Sequence, residues 1–100
     1  MRRLKMFLDT HDAKSDTFPS TLSTTEFTAF FARYQQACEE EGVIIVRVHV
    51  GLGDARAFCL NLAPDEDAIR RAHDKVGLKF DQITEVKTAT PGDLLFEPLR

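Results

Sequence analysis

Val43-Ile44-Ile45-Val46-Arg47-Val48-His49-Val50 is followed by Gly51-Leu52-Gly53-Asp54 and then by Arg56-Ala57-Phe58-Cys59-Leu60-Asn61-Leu62. The first run is β-branched, with apolar residues at 44, 46, 48 and 50 and with Arg47 and His49 between them, which is the period of a strand. The Gly/Asp segment supplies turn chemistry, and the second run resumes an extended pattern. The pair predicts a β-hairpin at the centre of the chain.

Upstream of it, Ser23-Thr24-Thr25-Glu26 matches a capping box, and Phe27, Phe30, Phe31, Tyr34 and Cys38 recur at three- and four-residue intervals up to Gly42. A long amphipathic helix with an aromatic face is predicted. Further back, Leu4 to Leu8 form a short apolar run ending in Asp9-Thr10-His11-Asp12, read as the first strand. Residues 13–22 are Ser/Thr-rich, carry Pro19 and have no period, which reads as a long loop. Downstream of the hairpin, Ala63-Pro64-Asp65 opens a second helix whose stripe is Ala68, Ile69, Ala72 and Val76, closed by Gly77. Residues 80–87 read as the last strand.

The order βαββαβ predicts an α+β, ferredoxin-like domain over residues 1–90, with strand order 4-1-3-2 and both helices on one face. Residues 91–100 are read as a C-terminal tail with an apolar Leu94-Leu95-Phe96 cluster. An uncovered sheet face carrying apolar side chains favours association, so a homodimer packed sheet against sheet is expected.

The chain has 100 residues, 43% hydrophobic and 29% charged, with thirteen Lys+Arg against sixteen Asp+Glu and a formal charge of −3. This size suits one domain. The charge balance lacks the basic face that nucleic-acid binding needs, no apolar run is long enough for a membrane span, and a cytoplasmic protein is expected. Two cysteines, Cys38 and Cys59, are too few for a disulfide framework and are read as reduced thiols.

Strand periodicity also predicts faces. If the larger apolar sets face the helices, these are Leu4, Met6 and Leu8, then Ile44, Val46, Val48 and Val50, then Phe58, Leu60 and Leu62. Phe7, Asp9, His11, His49 and Cys59 then share the open face. Asp9, His11, His49 and Cys59 would converge there as a thiolate, imidazole and carboxylate set suited to a transition metal such as nickel, zinc, copper or cobalt. Cys38 reads as core packing. His73 reads as a helix-face residue near the C-terminal end of its helix dipole, with ligation the lesser reading.

Val48-His49, the Gly/Asp turn, Phe58-Cys59-Leu60-x-x-Ala63-Pro64-Asp65-Glu66 and Asp81-Gln82-Ile83-Thr84-Glu85-Val86 together resemble a family of small bacterial ferredoxin-like proteins. They are grouped as a domain of unknown function with nickel-binding or nickel-responsive members. The resemblance spans residues 43–88 and is compatible with Phe7-x-Asp9-x-His11. It implies a dimeric α/β sandwich, a role for His49 and Cys59, then Asp9 and His11, and nickel as the favoured ion. The implied function is metal sequestration or sensing. The alternative is an enzyme of the dimeric α/β-barrel type with a small organic substrate in the sheet cavity and a His general base. No nucleophile motif, phosphate loop or CxxC pair supports a particular reaction.

Overall fold

A computed structural model describes residues 3–95, with side chains described as far as residue 92. The elements are β1 (Lys5–Asp12), a short 3-10 turn (Ala13–Ser15), α1 (Thr24–Glu40), β2 (Ile44–Gly51), β3 (Arg56–Ala63), α2 (Glu66–Val76), β4 (Gln82–Glu85), β5 (Thr88–Thr90) and β6 (Asp93–Leu95). The first four strands form an antiparallel sheet in the order β2-β3-β1-β4, the ferredoxin-like order expected from the hairpin and its flanking helices. The loop is more ordered than its composition suggests, because Asp12 caps the 3-10 turn by accepting from the Lys14 N–H.

Both helices start on local signals. Ser23 accepts from the Glu26 N–H at 3.0 Å, while the Glu26 carboxylate accepts from the Ser23 N–H at 2.9 Å, so both arms of the capping box are made. Ser23→Ala is expected to cost about 1 kcal/mol and to lower the thermal midpoint by a few degrees, read by circular dichroism. Asp65 caps α2 through the Ala68 N–H. The helices are tied to each other at the surface by Arg71 to Glu41 and by Lys75 to Glu40 and Glu41. Such exposed pairs contribute little singly.

The core lies between the helices and the sheet. Tyr34, Ala37 and Cys38 of α1 and Ala68, Ile69 and Ala72 of α2 pack on Phe7, Val43 and Ala63. Directly opposed residues of an antiparallel pair share a face, so the register fixes which side chains look at the helices. Asp9 is opposite Cys59, His11 opposite Ala57, and Phe7 opposite Asn61, and all six are buried.

The expected faces of β1 and β3 are therefore reversed. Phe7, Asp9, His11, Ala57, Cys59 and Asn61 face the helices, while Met6, Leu8, Phe58, Leu60 and Leu62 are half-buried on the far side. The reason is volume. Tyr34, Ile69 and His73 project from the helices, so the sheet beneath them carries small side chains at Ala57, Cys59 and Ala63. In β2 the register shifts between Ile45 and Arg47, a bulge that changes the phase of alternation. Beyond it, Val48 is opposite Cys59 and looks at the helices, as expected, and His49 is opposite Phe58 on the far side.

The segment read as a tail is partly structured, since β5 and β6 pair as an antiparallel hairpin. Phe96, and the side chains of Leu94 and Leu95, lie outside the described residues. Among the described residues no helix is long and apolar enough to cross a membrane.

Candidate metal centre

Asp9 sits in the middle of β1 with no exposure to solvent. Its Oδ2 is 2.8 Å from His11 Nε2 and 3.1 Å from His73 Nε2, and its Oδ1 accepts from Asn61 Nδ2 at 2.7 Å. Adjacent helix-facing positions of one strand supply Asp9 and His11, the neighbouring strand supplies Asn61, and α2 supplies His73 from above. The two imidazoles are stacked with ring centroids 5.4 Å apart, and Tyr34 and Phe80 meet His73 edge-on. The cluster is enclosed by aromatic walls.

The outer nitrogens of the two rings have fixed roles. His11 Nδ1 donates to the Lys79 carbonyl at 2.7 Å, and His73 Nδ1 donates to the Ile69 carbonyl at 2.8 Å. Gly77 prepares the first of these contacts: its left-handed backbone (φ 66°) ends α2 and turns the chain so that the Lys79 carbonyl reaches His11 of β1. Each neutral ring consequently keeps its lone pair on Nε2, aimed at a carboxylate oxygen that also only accepts. Three electron-rich atoms cannot face one another without positive charge among them, supplied by protons on the rings or by a metal ion.

These three side chains form a group that could hold a metal ion. Asp9, His11 and His73 each offer one ligand atom, all within 4.8 Å of one another. A ring whose second nitrogen donates to a backbone carbonyl is the usual support of a metal-binding histidine. The buried Asn61 Oδ1 has no donor among the described residues, an acceptor that a bound cation or its water would satisfy.

Electrostatics agree with a carboxylate kept ionised. Burial pushes the Asp9 carboxyl up, but the hydrogen bonds and charges of His11 and His73 outweigh it and hold it below the ordinary carboxylate value. Cys59 is raised far above an ordinary thiol by burial and by the charge of the neighbouring Asp9 carboxylate, which favour the neutral S–H. Cys38, on the same side of the core, is pushed up to about 11 by burial. Both cysteines are free.

Of the four residues expected to converge, the structure brings together Asp9, His11 and Cys59, on the helix side of the sheet rather than its open face. His49 is exposed on the opposite face and does not join them. The residue that does is His73, fully buried on the apolar stripe of α2. Its signal was legible, because it follows Ala72 and lies four residues after Ile69, on the face that α2 buries.

A ferredoxin-like α+β domain with a carboxylate and two imidazoles enclosed between sheet and helix is the architecture of a small protein with a candidate transition-metal centre. The chain belongs to the SCO4226-like family, described as nickel responsive protein SCO4226-like, whose profile it matches over residues 7–86. A solved structure titled "Crystal structure analysis of SCO4226 from Streptomyces coelicolor A3(2)" superposes with a TM-score of 0.71 at 20% identity, covering 85% of this chain and 99% of that one. That likeness is one of fold. No curated protein matches the chain significantly.

Proposed function

We propose that the protein binds a transition-metal ion, with nickel favoured, through Asp9, His11 and His73, and that it serves to sequester or sense the ion. The observation that carries this reading is the pair of Nδ1–H groups held by the Lys79 and Ile69 carbonyls, which leaves both Nε2 atoms directed at one Asp9 oxygen. Imidazole donors favour nickel, zinc, copper and cobalt over magnesium or calcium, and the family's description as nickel responsive supports nickel among them. Cys59 lies beside Asp9 as a further donor that must first lose its proton, so any thiolate ligation draws on the free energy of metal binding.

The test is metal retention. Metal-stripped protein incubated with equal nickel, zinc, copper and cobalt, then desalted and analysed for elements, is expected to keep nickel in a fixed ratio to chain. Protein that retains none of the four would refute the proposal and identify the cluster as a structural, proton-bridged one.

The homodimer belongs to the same proposal. Met6, Leu8, Phe58, Leu60 and Leu62 line the sheet face away from the helices, and Ile44 and Val46 beside them are 52% and 41% exposed. A contiguous apolar sheet face of this kind favours covering by a second copy. Leu60→Glu would place a charge in the middle of it, and sedimentation is expected to show a monomer where the parent sediments as a dimer.

A further inference from the structure

On the helix side, a half-open cavity of about 610 Å³ lies between α1 and the sheet. Its outer wall is the aromatic stripe Phe27, Phe30 and Phe31, all half-buried, and its floor is Val48, Ala57 and Cys59. The contrast in side-chain size shapes it: large flat rings above and small side chains below leave a slot. Only the later turns of α1, at Tyr34, Ala37 and Cys38, close fully onto the core. The inner end reaches His11 and the thiol of Cys59.

The charges at the mouth indicate what fits. Asp16 and Glu26 are matched by Arg33 and Lys79, so the entrance carries no net sign. Two of the four are already engaged, Glu26 in the capping box and Arg33 over the Phe30 ring at 5.2 Å. Deeper in, His11 has both ring nitrogens occupied by Lys79 and Asp9, and Cys59 adds only a small buried side chain to the floor. Among the described residues that line the slot, no buried side chain carries a free charge facing it. Water is held poorly by walls of this kind, whereas a flat ring gains stacking from the phenylalanine wall and dispersion contacts from the floor.

We infer that this slot is a binding site for an uncharged, flat aromatic molecule, inserted between the Phe27/Phe30/Phe31 face of α1 and the Ala57/Cys59 floor of β3. The site exists without the metal, so it stands or falls separately from the proposed metal function. Its volume is in the range of small-molecule sites, with an apolar lining and few polar groups.

The test uses the full chain with metal removed by chelator. N-phenyl-1-naphthylamine, a neutral probe, is titrated against anilinonaphthalene sulfonate, which has the same rings plus one negative charge. The neutral probe is expected to bind saturably, one per chain, with blue-shifted emission, and at least about tenfold more tightly than the sulfonate, whose charge would be buried unpaired. Ala57→Leu fills the floor and is expected to weaken the neutral probe by about tenfold or more. Should that variant lose its circular dichroism signature, Val48→Phe fills the slot from the edge strand instead. Leu60→Glu, on the opposite face, is expected to leave probe affinity unchanged. Absence of saturable binding, equal or tighter binding of the sulfonate, full affinity in a folded slot-filling variant, or loss of binding in Leu60→Glu would each overturn the inference.

Discussion

Asp9→Ala is expected to lower stability by about 3–5 kcal/mol, the cost typical of removing one partner from a buried charged cluster. For a domain of this size that is a fall in thermal midpoint on the order of 20 °C, or loss of folding where the parent has little reserve. The size of the effect follows from what the carboxylate holds. Its two oxygens receive His11, His73 and Asn61. Truncation strands all three partners, each of them buried, and an unpaired buried polar group costs its full desolvation. Asp9→Asn keeps the shape and removes the charge, so it separates the two contributions: it is expected to fold with a smaller loss and still to fail in metal retention.

The same carboxylate sets an acid limit for the metal-free protein. Its folded pKa is depressed below the unfolded value of about 3.9, so the stability it contributes is complete above that value. That contribution disappears as pH falls through the folded pKa, where the native state must also take up the proton. Denaturant midpoints of the parent should therefore drop steeply on acidification below about pH 4, and those of Asp9→Asn should drop less. Parallel pH profiles would show that Asp9 is not the group whose protonation unfolds the protein.

The central hairpin and the helix starts could be read from the chain because each rests on local chemistry: β-branched alternation around Gly51–Asp54, and capping groups at Ser23 and Asp65. Connectivity then leaves few topologies, and the sheet order follows. The faces were less legible, since they depend on what packs from across the layer. Ranking strand residues by apolar size sends Phe58, Leu60 and Leu62 inward. The space under α1 and α2 is already taken by Tyr34, Ile69 and His73, and it admits Ala57, Cys59 and Ala63 instead. The bulge at Ile45/Arg47 has no marker in the residues themselves, and it separates the two halves of β2 in phase. His49 and Cys59, which the family resemblance pairs, thus come to lie on opposite sides of one sheet. Asp9 and His11 remain together because residues two apart on a strand share a face whichever way it turns.

That separation makes the two histidines a decisive comparison. His73→Gln is expected to reduce nickel affinity by more than about 100-fold, since removal even of groups that only support a ligand costs 10–100-fold. Gln retains much of the volume and an amide that can donate to Asp9, so the variant is expected to fold, which near-ultraviolet circular dichroism can verify. His49→Gln alters an exposed side chain on the far face and is expected to leave affinity unchanged. Titration of both variants by calorimetry distinguishes two placements of the ion. Loss in His73→Gln alone locates it between β1 and α2, beneath the Lys79 and Ile69 carbonyls that orient the rings. Loss in His49→Gln with full affinity in His73→Gln would move it to the open sheet face, and the buried Asp9, His11 and His73 would then be a cluster held by protons alone. Dimer formation cannot mimic the first result, because His73 lies on the helix side, away from the apolar face formed by Leu8, Phe58 and Leu60.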